Sequence, residues 1–212
     1  MPCKNKKIIS SFLAAFFLSA SVKAADVAVA PYVGPAIVFN RDFNGEHGKS
    51  TLGFSIGFDA FYRLSCQGCR NFSLMMNTGY TSTGPFNFSG VRRKATGHVG
   101  TFKETLQIFN WNVGVNWSPK PVGKIKFNLF AAPGIYHTKK KDVSYRDGNN
   151  KDLPLPSMSQ SETDFGLLVG GGVEVMVSKR SSISFTPRVN INMLKLSERS
   201  SIQLPISFKF YF

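Results

Sequence analysis

Long stretches of strictly alternating apolar and polar residues dominate this sequence. In residues 201–212 the even positions are Ile, Leu, Ile, Phe, Phe and Phe, while the odd positions from 203 onward hold Gln, Pro, Ser, Lys and Tyr. A period of two indicates a β-strand, because successive side chains of a strand point to opposite faces. Seven further stretches share the pattern: 27–39, 52–62, 72–80, 109–117, 125–135, 165–177 and 183–193. The sequence therefore predicts an all-β fold of eight strands.

The lengths of the strands and of their connections indicate a membrane protein. Stretches of about 10 to 13 residues exceed the usual soluble strand and match a tilted strand that crosses a bilayer. Long connections (40–50, 82–100, 138–161) alternate with short ones (65–70, 118–124, 178–182), and the last connection, 195–200, is of modest length. Outer-membrane barrels have this asymmetry, with short periplasmic turns and long outer loops. We predict an eight-stranded antiparallel up-and-down transmembrane β-barrel with both termini in the periplasm.

The residue sizes on the two faces indicate which face points outward. A soluble ligand-binding barrel would alternate equally well, but its apolar face would point inward. Here the polar face carries mainly Gly, Asn and Ser, whereas the apolar face carries bulky Phe, Val, Ile and Trp, which eight strands can hardly enclose. The apolar face is therefore predicted to contact lipid. Aromatic residues at one end of the strands would form an interfacial girdle: Tyr62, Phe72, Trp117, Phe127 and Phe212.

Two features disturb the regular pattern. Leu106 and Ile108 fall on the polar face of their strand, which predicts a β-bulge nearby or apolar side chains that point inward. Prolines also lie inside predicted strands, where each removes a ladder donor from a sheet that has no free edge. These prolines are Pro31, Pro35, Pro133, Pro187 and Pro205. The strand boundaries and registers next to them stay open.

The N-terminus has the pattern of an export signal. Basic residues at 4, 6 and 7 precede the apolar run 8–18, and Val22-Lys23-Ala24 offers small residues for a signal peptidase. The apolar run is 11 residues long, too short for a helix that spans a bilayer. We predict a signal peptide at 1–24 and one barrel domain at 25–212, with a net charge of +10 after cleavage. A short N-terminal core helix is the less favoured alternative, because neither a capping residue nor an amphipathic period accompanies the run.

The C-terminal segment Ser207-Phe208-Lys209-Phe210-Tyr211-Phe212 resembles the terminal strand of Gram-negative outer-membrane proteins, an assembly signal read by the barrel-assembly machinery. With the export signal and the eight strands, the chain resembles the small OmpA/OmpX-like and opacity-type surface barrels. The resemblance implies an outer-membrane location, the assembly machinery as a partner that reads Phe208, Phe210 and Phe212, and a structural or surface-interaction role. We expect a barrel alone, without a peptidoglycan-binding domain.

Charged residues on the inward face are the first candidate functional group. They are Asp59, Arg63, Lys126, Glu174, Arg188 and Lys209, all near the periplasmic ends of their strands. Charges confined in a barrel must pair, so these residues form either a gate for ions or protons or a set of salt bridges that fills the interior. The second reading is favoured, because the interior of eight strands is only wide enough for side chains. A narrow channel remains the alternative.

Cys66 and Cys69 form a C-x-x-C motif in a predicted periplasmic turn. Such a motif can be a redox pair, half of a metal site or a local disulfide. A second C-x-x-C and a nearby histidine are lacking, and strands rather than a helix flank the motif. The oxidising periplasm favours a structural disulfide, and we expect no metal or other cofactor.

Two basic clusters are predicted to lie on the outer side of the membrane. They are Arg92, Arg93 and Lys94 in the second outer loop, and Lys139, Lys140 and Lys141 at the start of the third. Lipopolysaccharide phosphates lie at that level, and lysine or arginine can neutralise them. Acidic polysaccharide on a host surface is a rival partner for the same charges. Nucleic acid is not expected, because neither an export signal nor a barrel suits it.

Catalysis is not predicted. The histidines, His47, His98 and His137, lie in or beside predicted outer loops. Asp42, His47 and Ser50 share one loop, but their spacing matches no known catalytic signature. Because some outer-membrane barrels modify lipids, a lipid-modifying enzyme is the alternative from another functional class.

Overall fold

A computed structural model describes residues 27–41, 48–64, 69, 71–92, 99–146, 152–154, 161–192 and 200–212. The strands are β1 (Val27–Arg41), β2 (Gly48–Arg63), β3 (Phe72–Thr83), β4 (Phe86–Arg92), β5 (Val99–Trp117), β6 (Ile125–Arg146), β7 (Asp152–Pro154), β8 (Ser161–Met176), β9 (Ser181–Phe185), β10 (Arg188–Asn192), β11 (Ser201–Gln203) and β12 (Ile206–Tyr211). Within these residues, no helix has the length and apolar character needed to cross a membrane. The predicted signal peptide lies outside the described residues.

The strands form a closed ring. All pairings are antiparallel, and β1 contacts β2 on one side and both β11 and β12 on the other. Four barrel strands consist of two pieces each: β3 with β4, β7 with β8, β9 with β10, and β11 with β12. Counted in this way, the ring has eight strands. The predicted eight-stranded antiparallel β-barrel is confirmed.

The barrel has two distinct ends. We call the end that carries the short connections 64–71, 118–124 and 177–180 the turn end, and the opposite end the loop end. Val27 and Tyr211, the first residue of β1 and the last of β12, both lie at the turn end. Both described chain ends therefore lie at the end with the short turns, as an even strand count requires.

The apolar residues of the membrane-spanning part point outward. Phe54, Trp111, Phe127 and Phe208 are 47–55% exposed. Their polar neighbours, including Ser55, Asn112 and Ser207, are buried inside. The predicted aromatic residues lie at the turn end, where Phe72 and Trp117 are directly paired. Such an arrangement places most large apolar side chains in lipid, while the interior holds small polar side chains together with a few large ones, such as Tyr32, Met75 and Phe130.

The strands extend further toward the loop end than predicted. β5 begins at Val99 and β6 continues to Arg146, and β4 extends the third barrel strand to Arg92. The prediction of loops across 82–100 and from residue 138 onward was therefore wrong in part. Lys139, Lys140 and Lys141 lie within β6 and do not open a loop, and Arg92 ends β4.

A reversal of polarity explains why these extensions were missed. In the loop-end part of β5, Phe102, Leu106 and Ile108 point inward and are at most 6% exposed. From Phe109 to the turn end, the apolar residues of β5 point outward instead. Beyond the hydrocarbon region the outside of the barrel meets water, so an apolar core must move to the inside. The strand still alternates, but at the loop end its apolar residues point inward and its polar residues point outward.

Leu106 and Ile108 do point inward, and a bulge lies close to them. The register between β5 and β6 shifts between Lys103 and Thr105, where β6 accommodates an additional residue. Asp142 adopts a positive φ of 51° at this point. Both features that the irregular pattern predicted are therefore present.

The strand prolines each interrupt the sheet on one side. Pro31 and Pro35 stay in register with β2 but have no partner in the register with β11 and β12. Pro187 separates β9 from β10, and Pro205 separates β11 from β12. Pro35 accepts a hydrogen bond from Leu204, so Pro31 and Pro35 remove donors along the contact between the last barrel strand and β1, which we call the closing seam. Pro187 and Pro205 face Gly171 and Thr186 instead, and Pro133 pairs with β8 but has no partner in the register with β5.

Candidate functional site: the barrel interior and its two ends

A buried ion pair lies in the middle of the barrel. Arg188 of β10 donates two hydrogen bonds to the carboxylate of Asp59 of β2, at 2.9 and 3.2 Å. The exposed fractions of the two side chains are only 1% and 5%. The guanidinium also lies 4.3 Å from the ring centroid of Tyr32. This bidentate geometry, together with the aromatic face, suits arginine and would not be reproduced by lysine.

An amide network continues from this ion pair across the barrel. Asn77 donates to Asp59 at 2.6 Å and accepts hydrogen bonds from Asn110 at 2.6 Å and Asn112 at 2.9 Å. Tyr32 fills the remaining width, since a Cβ at Gly79 would lie 2.2 Å from its hydroxyl. The middle of the barrel is therefore packed with hydrogen-bonded side chains.

A second charged group lies toward the turn end around Glu174, which is 2% exposed. Lys209 lies 3.2 Å and Lys126 3.8 Å from its carboxylate oxygens. Ser182 donates a hydrogen bond to it at 2.8 Å, and the Tyr211 hydroxyl donates another. The structure thus divides five of the six predicted interior charges into two groups. Arg63 belongs to neither, and it is exposed at the turn end.

The turn end opens into a cavity of about 280 Å³. Its cationic lining residues are Arg63, Lys120, Lys126 and Lys209, and Glu174 is the only acidic residue among the described residues that line it. The ring of Phe61 and the aliphatic side chain of Val27 contribute apolar wall. We call this cavity the turn-end mouth.

The loop end of the interior is apolar instead. Phe86 and Phe88 of β4 are 1% exposed, and they pack in one cluster with Phe102, Leu106 and Val143. Beside this cluster, Glu104 accepts a hydrogen bond from Asn40 at 2.5 Å and lies 3.2 Å from Lys140 Nζ. Glu104 was not among the predicted site residues, because it precedes the predicted strand 109–117 and its partners Asn40 and Lys140 lie in segments that were predicted to be loops. The sequence did contain a signal for these strands, because Phe86 and Phe88, like Phe102 and Leu106, are spaced an even number of positions apart and so share one strand face.

The basic residues of β6 take opposite directions. Lys140 points inward to Glu104, whereas Lys139 and Lys141 are exposed on the outer face. Lys103 of β5 follows the same outward alternation, because its neighbours Phe102 and Glu104 are both buried. The side chain of Arg92, together with Arg93 and Lys94, lies outside the described residues.

The sequence of this chain matches the family model described as "Outer membrane protein beta-barrel domain" over residues 10–210. The match covers nearly the whole length and includes all of the ring except the last residue of β12. The chain belongs to this family. The protein is an outer-membrane β-barrel, its turn end faces the periplasm and its loop end faces outward.

Solved structures of other bacterial membrane proteins have a similar fold. Neisserial surface protein A shares 18% sequence identity, with a TM-score of 0.50 over 88% of this chain and 97% of that one. A major outer membrane protein of Thermus thermophilus shares 10% identity, also with a TM-score of 0.50, over 86% and 99%. At these identities the similarity establishes the fold alone. No curated protein matches the sequence.

Cys69 is disulfide-bonded. Its bonding partner and Cys66 both lie outside the described residues. A Cys66–Cys69 bridge, which would close a very short loop, thus stays a prediction. Within the described residues, no group of three or more His, Cys, Asp or Glu side chains could hold a metal ion.

Of the three histidines, His137 alone lies within the described residues, and it belongs to β6. Its Nδ1 lies 2.9 Å from the hydroxyl of Thr163 on the neighbouring strand β8. Asp42, His47 and His98 fall outside the described residues. The geometry at His137 is that of an exposed cross-strand hydrogen bond.

The orientation of the barrel predicts where a protease can act on intact cells. Trypsin is expected to cut in the outer connections, after Arg93, Lys94 or Lys151, while Lys139 to Arg146 are protected by strand pairing. It should spare the periplasmic residues Lys120, Lys124, Lys179 and Arg180. Mass spectrometry of the released peptides reports the sites. Cleavage at the second set of residues with the membrane intact would show that the barrel has the opposite orientation.

Proposed function

We propose that this outer-membrane barrel has a structural and surface-interaction role, in which it contacts lipopolysaccharide phosphates, and that it catalyses no reaction. The observation that carries the proposal is the position of the outward cations Lys139 and Lys141. On β6 they follow Ile135, which is 40% exposed on the lipid-facing side. Lys139 lies four residues further along, or about 13 Å at roughly 3.3 Å per residue.

In this proposal, that position lies in the polar layer just above the outer hydrocarbon boundary. Exposed apolar side chains on the neighbouring strands support the boundary: Phe165 faces Ile135 directly and is 65% exposed. Lys103 on β5 adds a third outward cation diagonal to Lys141, across the bulge. Several cations on adjacent strands provide the multiple contacts that a phosphorylated lipid surface requires.

The interior supports a closed barrel. A hydrogen-bonded layer around Asp59, Arg188 and Asn77 occupies the middle, and an apolar cluster occupies the outer part. A narrow channel would need an aqueous path through both layers. The same outward cations could also contact acidic polysaccharide on a host cell, which is the adhesin-like form of the proposal, and the assembly machinery is the expected partner of the terminal strand.

Binding of lipopolysaccharide tests the outward cations. The double variant Lys139→Gln, Lys141→Gln is expected to bind lipopolysaccharide in neutral detergent about thirtyfold more weakly at low salt, because each of the two surface cations contributes roughly 1 kcal/mol. The matched control is Lys124→Gln, Lys179→Gln, which removes the same charge at the periplasmic end and should bind normally. Equal weakening by both variants would refute a specific outer contact.

The absence of catalysis needs a separate experiment. Mass spectrometry of lipid A from cells with and without the protein is expected to show the same acylation. A gained or lost acyl chain that depends on His137 or His47 would replace this proposal with a lipid-modifying enzyme.

A further inference from the structure

The turn-end mouth, which faces the periplasm, carries an excess of positive charge. Four cationic residues and one carboxylate line about 280 Å³, which gives the described lining a net charge of +3. The carboxylate is Glu174, and Lys209 and Lys126 already pair with it. The excess positive charge therefore belongs to Arg63 and Lys120, which form no salt bridge in the part of the chain that the structure describes.

The deeper wall of the mouth contains an unsatisfied polar atom. Asn116 is 3% exposed, and its Oδ1 has no hydrogen-bond partner among the described residues, although its amide nitrogen donates to Ser73 at 3.1 Å. A second space of about 10 Å³ adjoins the mouth and shares Asn116, Phe61 and Lys209 with it. That volume suits roughly one water molecule. A buried orphan acceptor beside a water-sized space indicates that a water molecule donates to Asn116 Oδ1 there, so the deep end of the mouth is hydrated.

The arrangement of the cations favours an oxyanion. Lys209 is held by Glu174 and by the face of Phe61, 4.0 Å from the ring centroid, so its position is fixed before any ligand arrives. Lys126 is fixed in the same way by Glu174 and by the Tyr211 hydroxyl, at 3.2 Å. Arg63 and Lys120 lie at the rim, where they can close on a ligand. An arginine fork and several ammonium groups around one space suit a phosphate, which carries up to two negative charges at neutral pH.

We propose that the turn-end mouth is a binding site for a single phosphate group. Lys209 and Lys126 form its fixed base, and Arg63 and Lys120 form its adaptable rim. The volume of about 280 Å³ holds a phosphate with room for bound water or for the rest of a small headgroup. The phosphate group comes either from free inorganic phosphate in the periplasm or from the headgroup of an anionic phospholipid in the inner leaflet. The site lies at the opposite end from the proposed lipopolysaccharide contacts and does not depend on them.

The test uses the purified full chain in a neutral maltoside detergent, titrated with inorganic phosphate by calorimetry at low ionic strength. Saturable binding at one site per chain is expected. Arg63→Gln, Lys120→Gln should weaken it about tenfold, which corresponds to about 1.4 kcal/mol. This variant leaves the Glu174 group untouched, so the barrel should fold, and a gel shift on heating verifies that it does. The control Lys124→Gln, Lys179→Gln removes equal charge from residues outside the cavity lining and should bind like the wild type.

A second arm distinguishes the source of the phosphate. The same proteins are placed in nanodiscs of phosphatidylcholine with a minor fraction of phosphatidylglycerol, and the lipid retained by each chain is measured by native mass spectrometry. Retention of phosphatidylglycerol that is lost only in the Arg63, Lys120 variant identifies a lipid headgroup, and saturable binding of inorganic phosphate alone identifies the free ion. The proposal is overturned if neither ligand binds saturably, or if the control variant weakens binding as much as the test variant.

Discussion

Replacing Arg188 with methionine is expected to destabilise the barrel by about 3–5 kcal/mol, the range measured when one partner of a buried ion pair is removed. Asp59 would keep its hydrogen bond from Asn77 but lose both bonds from the guanidinium. Its carboxylate would stay in an interior that admits little water, since the Asp59 side chain is 5% exposed and borders a space of about 10 Å³ that suits roughly one water molecule. The free energy of unfolding, measured by urea titration of the folded protein in detergent, checks the expected loss.

The double variant Asp59→Asn, Arg188→Met separates charge from packing. It removes both ionic groups and keeps side chains of similar size, so we expect it to recover most of the stability that Arg188→Met loses. Lys179→Met, at an exposed periplasmic position, is the matched control and should be nearly neutral. If the double variant is as unstable as Arg188→Met, then the contacts of the guanidinium with Tyr32 and Phe130, rather than its charge, hold this layer together.

Deleting Phe210 to Phe212 is expected to reduce the folded protein in the outer membrane by more than about tenfold. The deletion removes the pairs of Phe210 with Val29 and of Tyr211 with Ala28, together with the hydrogen bond that Phe212 donates to Val27. It also removes the Tyr211 hydroxyl from Glu174. Backbone groups of β1 would then lack partners where little water is available to replace them. Gel migration of the outer-membrane fraction before and after heating measures the folded amount.

Phe212→Ala is the matched control for the deletion. Phe212 is 60% exposed and follows the last residue of β12, so its ring contributes little to the ladder. We expect this variant to assemble more slowly but to reach the outer membrane at low expression. Normal amounts of the shortened chain with normal heat-dependent migration would mean that the last ladder pairs and the terminal phenylalanine are both dispensable for assembly.

The sequence was sufficient to predict the strands where lipid surrounds the barrel, because one face of each strand must then be apolar and the other must fit a narrow interior. It was insufficient at the loop end. There water surrounds the outside, and residues such as Lys103 and Lys139 gave an extended strand the composition of a loop. A search for alternating apolar residues on either face of a strand, rather than on the outward face alone, would have found β4 from Phe86 and Phe88.

The interior charges were only partly predictable for a different reason. Alternation indicates which residues point inward, but the register between distant strands decides which ones meet. Asp59 and Arg188 belong to β2 and β10, which are not neighbours in the ring, so their contact crosses the barrel. Glu104 was missed because the pairing of β5 with the end of β6 was not foreseen, and that pairing brings Lys140 to it.

The closing seam has a consequence for the time course of folding. β1 and β2 share fifteen register pairs and follow each other directly in the chain, whereas β1 has three pairs with β11 and four with β12. Ala28 and Tyr211, which pair across the seam, are 183 positions apart in the chain. Contacts between such distant segments require a large loop to close first, which costs conformational entropy. Because Pro31 and Pro35 lack a backbone N–H, few ladder hydrogen bonds between β1 and the last barrel strand compensate for this cost. We therefore expect the hairpins to form early and ring closure to be the slow step, during which two unpaired strand edges are exposed to neighbouring chains.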